Sequence, residues 1–94
     1  MSSDQDQAVA DIRSPYEYAV LTTMVEGRVL VTSEPEVLVT LKGESDYVDL
    51  RRLAERSLIR EITAGHWRMT MGGQTAHLIW STLYGDRWEL ERDG

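Results

Sequence analysis

Residues 65–90, GHWRMTMGGQTAHLIWSTLYGDRWEL, hold the most regular alternation of apolar and polar side chains in the chain, and the architecture turns on how they are read. Period-two alternation puts successive side chains on opposite faces of a strand. With Gly72 and Gly73 as a two-residue hairpin turn, Trp67, Met69 and Met71 share a face with Gln74, Ala76, Leu78 and Trp80. His66, Arg68, Thr70, Thr75 and His77 take the other face. A second turn at Gly85 and Asp86 sets Leu83 opposite Trp88, and these join Ile79 and Leu90 on the face away from Trp80. The middle strand, 74–84, is then apolar on both sides in its later half.

Upstream of this stretch lies one clear helix start. Ser45 or Asp46 serves as the N-cap and Asp49 falls in the first turn. Leu50, Leu53, Ala54 and Leu58 make an apolar stripe about 140° wide. The helix is expected to run to about Thr63 and to end at Gly65. The alternative stops it near Ser57 and continues Leu58 to Thr63 as strand. Further upstream, Tyr16–Met24 and Arg28–Ser33 read as strands joined by a turn at Glu26 and Gly27, and Glu36–Lys42 as a third strand with Val37, Val39 and Leu41 on one side. Residues 1–14 are polar and acidic without a hydrophobic period, which predicts a disordered leader.

The expected fold is therefore α+β: an antiparallel β-sheet of about six strands in the order βββ-α-βββ, with one amphipathic helix packed on it, in a single domain over residues 15–94. One helix cannot cover both faces of such a sheet. The apolar surplus on Ile79, Leu83, Trp88 and Leu90, together with Leu21 and Leu30, predicts a second subunit, and the first four are the candidate interface.

Composition narrows the function classes. The 94 residues contain no cysteine, so disulfides and thiolate metal sites are excluded. No secretory signal pattern opens the chain, and no run approaches the roughly 18 apolar residues of a membrane span, so a cytoplasmic protein without membrane contact is expected. A net charge of −6 disfavours nucleic acid as a partner. The charge is uneven, however: residues 1–50 carry three basic and ten acidic side chains, whereas residues 51–94 carry seven and six.

Nothing in the sequence specifies catalysis, a cofactor or a metal. His66 and His77 lack zinc-site spacing, no serine lies in a GxSxG elbow, and Asp46 and Asp49 are explained as helix caps. Gly72 and Gly73 lack the helix and lysine of a phosphate-binding loop. The most suggestive polar feature is Arg52, Arg56 and Arg60 at i, i+4 and i+8, joined by Arg51 and Arg68: a candidate contact for a polyanion or an acidic partner, or else a solvated helix face. The expected function is a small acidic, non-enzymatic protein-interaction module of adaptor, inhibitor, immunity or chaperone type, acting as a homodimer. The alternatives are a nucleic-acid-associated regulator that uses the arginines, and an acidic virus-encoded inhibitor or nucleic-acid mimic.

Overall fold

The computed structural model describes the backbone of residues 12–93 and the side chains of residues 12–84. Chain order is α1 (Pro15–Thr22), a 3₁₀ turn (Val25–Gly27), β1 (Leu30–Val31), β2 (Glu36–Leu41), β3 (Glu44–Asp49), α2 (Leu50–Glu55), β4 (Ile59–Thr63), β5 (His66–Met69) and α3 (Met71–Asp93). The class is α+β with antiparallel pairing, as expected. Among the described residues there are five strands in two sheets, β1-β5-β4 and the hairpin β2-β3, in place of six strands in one.

Residues 15–22 are helical and 23–24 form a turn, in place of a strand, because the segment Ser14-Pro15-Tyr16-Glu17 is a helix start. The Ser14 hydroxyl accepts the Glu17 backbone N–H, and proline occupies the first helical position, where no N–H is needed. α1 buries Tyr18, Val20 and Leu21. Leu21 is fully enclosed and Leu30 packs against the core, so both of these side chains are covered within the chain itself. Residues 1–11 lie outside the described residues. Ile12, 2% exposed, belongs to the core, and Ser14 caps α1, so residues 12–14 are part of the folded domain.

β2 forms where expected, but Gly43 does not introduce a helix. Lys42 and Gly43 both have positive φ (53° and 81°) and make the two-residue turn that pairs Leu41 with Glu44 and starts β3. The helix follows at Leu50, capped by Asp49 rather than by Ser45 or Asp46, and its apolar residues Leu50 and Leu53 are buried.

α2 stops at Glu55, eight residues short of the expected end, and the reason is local. Ser57 takes φ +62°, its N–H donates to the Ala54 carbonyl, and the Leu58 N–H reaches back to Leu53. That is the paired bonding of a Schellman cap, with Leu53 and Leu58 supplying its buried hydrophobic contact. Residues 58–63 therefore follow the strand alternative.

β4 and β5 pair in register, Ile59 with Met69 and Arg60 with Arg68, and β1 adds Leu30 opposite Trp67. Gly72 and Gly73 do not form a hairpin turn, and the strand expected over 74–84 is instead part of α3. Thr70 caps that helix by accepting the Gly73 N–H while its hydroxyl donates to the Ser57 carbonyl. Glycine is required at residue 73. A Cβ there would collide with the Leu58 carbonyl oxygen and lie 2.6 Å from Met69 Cγ, so helix and sheet could not approach this closely.

Candidate functional site

α3 presents one row of side chains to the domain and outruns it. Gly73, Ala76 and Trp80 recur at i, i+3 and i+7 on the inward side of α3, Gly73 against Leu58 and Met69 and Trp80 toward Tyr18 of α1, with His77 on their flank. The His77 ring stacks on Tyr18 at 4.6 Å, Trp80 lies 6.0 Å from Tyr18, and Tyr84 packs against Trp80 at 4.8 Å. His77 Nε2 lies 3.0 Å from the Thr22 hydroxyl, whose own proton goes to the Tyr18 carbonyl. The imidazole is therefore the donor, through Nε2–H. Burial lowers the His77 pKa below 6.5, favouring the neutral ring.

Support for the helix fades along its length. Ala76 is 1% exposed and Ile79 is half-buried, but Leu83, which continues the same side one turn on, is 50% exposed. On the outward side Leu78 is 65% exposed. The indole N–H of Trp80 is buried with no acceptor among the described residues. Ile79 and Leu83 thus lie together on a helix, and the cross-strand pairing of Leu83 with Trp88 is replaced by positions five apart on it. Trp88 and Leu90 fall in the stretch of α3 whose side chains lie outside the described residues.

The arginines do not form one helical stripe, because α2 ends before Arg56. Arg51 forks onto the Asp49 carboxylate at 3.0 Å, which lowers the Asp49 pKa and raises that of Arg51. Arg56 is a structural clamp. Its two terminal nitrogens donate to both oxygens of Glu17 at 3.0 and 2.7 Å, and the two side chains are only 14% and 15% exposed. Arg52 is exposed on α2. Arg60 and Arg68 stand opposite each other on the β4–β5 hairpin, exposed and without an ion-pair partner among the described residues.

The remaining polar candidates have local roles. His66 is exposed on β5 beside the Ala64 carbonyl, and His77 lies on α3 in place of the expected strand. Asp46 sits in β3 and accepts the Tyr47 N–H, so only Asp49 is a helix cap. No group of three metal-ligating side chains occurs among the described residues, and no described helix is long and apolar enough to cross a membrane.

Comparison with protein families, with curated proteins and with solved structures finds no match. Function rests on the surfaces themselves. Among the described residues, apolar surface also reaches solvent away from this side of α3, at Val31 and Ile62 on the three-stranded sheet and around β2. Leu38 and Tyr47 pair across the β2–β3 hairpin and are both exposed, and an apolar groove of about 380 Å³ runs between α1 and β2, with Val20, Leu30 and Val39 in its walls. The sequence pattern hides the Leu38–Tyr47 pair, because Ser45, Asp46 and Asp49 resemble the caps of a helix start. The Lys42-Gly43 turn was the signal for it.

Proposed function

We propose that the protein is a small non-enzymatic interaction module that works as a homodimer, with α3 as the pairing element. The observation that carries this reading is the apolar side of α3, which passes from Ala76 through Ile79 to Leu83 while its exposure rises from 1% to 50%. A helix of 23 residues is about 35 Å long at 1.5 Å per residue, far longer than contact with the short helix α1 requires.

A second copy is the occupant that suits such a stripe. The same surface then serves both partners about a two-fold axis, and each Leu83 is covered by the partner's helix. Leu83 is already half covered, so burying the rest of it contributes about 1 kcal/mol, roughly half of the value for a fully exposed leucine.

Replacing Leu83 by Asp tests the reading, because it places a charge in the pairing stripe at a side chain that is half open to solvent and outside the buried core. Sedimentation should show a dimer for the wild type and a folded monomer for Leu83→Asp. A variant that sediments as the wild type does would refute α3 as the pairing element.

A further inference from the structure

We propose that Arg60 and Arg68 form a binding site for a phosphate group. The two residues are direct cross-strand partners, so their side chains leave the same face of the hairpin from Cβ atoms about 5 Å apart. Like charges in that position destabilise a strand pair. Acidic residues outnumber basic ones 16 to 10 in this chain, and Arg28, Arg51 and Arg56 each hold a carboxylate. Arg60 and Arg68 have none among the described residues. Their neighbour Glu61 is on the opposite face of β4, and its carboxylate accepts the Gly65 N–H.

The pair borders a hollow of about 320 Å³ whose other walls are Met69, Thr70, Met71 and Gln74, with no carboxylate among them. The Thr70 hydroxyl is committed to Ser57 and Gly73, which leaves the Gln74 amide as the neutral polar group. The hairpin presenting the arginines is anchored from behind by Ile59 and Trp67, both buried. Two adjacent guanidinium forks match a ligand with several anionic oxygens around one centre. A phosphate fits that description, whereas a protein carboxylate offers two oxygens and one charge.

The shared chemistry is a phosphate ester, drawn either from a nucleic-acid backbone or from a free phosphorylated compound. The site is separate from the apolar side of α3, so the two proposals can fail independently.

The test is fluorescence anisotropy of the full chain with a labelled DNA duplex and a labelled RNA single strand, and calorimetric titration with inorganic pyrophosphate. Salt-sensitive binding of at least one probe is expected, weakened at least tenfold in Arg60→Ala/Arg68→Ala and partly retained in the double Lys variant. If the backbone is the source, the log–log salt slope on the duplex should flatten by about 1.8, twice the roughly 0.9 lost per phosphate contact. Pyrophosphate binding without polymer binding, lost in the double Ala variant, supports the site with a free phosphate compound as ligand. The single variants Arg60→Gln and Arg68→Gln, each expected to show intermediate weakening, keep the test readable if the double variant unfolds. Absence of binding to all three probes, binding unchanged in a folded double variant, or equal competition by polyglutamate would overturn the proposal.

Discussion

Replacing Glu17 by Ala should be among the most damaging single changes in the described fold, although glutamate is ordinarily a surface residue. The Glu17 carboxylate accepts three hydrogen bonds: one from the Arg13 backbone N–H at 2.8 Å and two from Arg56 at 3.0 and 2.7 Å. It ties the first turn of α1 to the residue that ends α2, 39 positions away. Removing one partner of a fully buried ion pair costs about 3–5 kcal/mol, and an exposed pair contributes about 0–1 kcal/mol. With the two side chains 14% and 15% exposed, the estimate falls near the lower end of the buried range, about 3 kcal/mol. For a domain of this size that lowers the melting temperature by roughly 12–24 °C. Glu17→Gln should cost less, because its amide oxygen can still accept the Arg13 N–H. A double-mutant cycle of Glu17→Ala with Arg56→Ala, read by urea unfolding, should return a coupling energy of about 2 kcal/mol. A coupling below about 0.5 kcal/mol would refute the clamp and return Arg56 to the class of exposed charges.

Ile12→Ala should cost about 2–4 kcal/mol in denaturant unfolding, since it empties a fully buried site, whereas deleting residues before Ile12 should leave that core contact intact. Ser57→Gly should raise stability by about 0.5–1 kcal/mol in the same assay, because glycine takes a φ of +62° without the penalty that a Cβ imposes. His77 should make the melting temperature pH-dependent. Its folded pKa lies below 6.5, so beneath pH 6.5 the unfolded chain takes up the proton first, and stability falls until the pH passes below the folded value. Above about pH 7 the ring is neutral in both states and contributes no slope. In His77→Gln that slope should disappear.

Where local patterning and tertiary packing agree, the fold could be read from the sequence. The alternation of Val37, Val39 and Leu41 marks β2, and the Leu50/Leu53 stripe marks α2. The segment 74–84 could not be assigned by alternation, because Ala76 and Trp80, four residues apart, share a face in a strand and in a helix alike. What decides it is Gly73, which lets α3 lie against Leu58 and Met69, a contact visible only once β4 and β5 are in place. The end of α2 was hidden for a different reason: the left-handed capping position is filled by Ser57 in place of the glycine that usually signals it. By contrast, Ser14-Pro15-x-Glu17 and Lys42-Gly43 are legible signals, outweighed in the first case by the aromatic and β-branched run that follows and in the second by the helix-capping residues Ser45, Asp46 and Asp49. The arginines show the same division. Their excess in residues 51–68 was plain, but only the folded chain separates Arg56, held by Glu17, from Arg60 and Arg68, which face each other.

Light scattering on the full chain at high micromolar concentration decides whether α3 joins two copies. Pairing through the Ala76–Leu83 side of the helix predicts a mass of two 10.7 kDa chains. A mass of one chain under those conditions would contradict it.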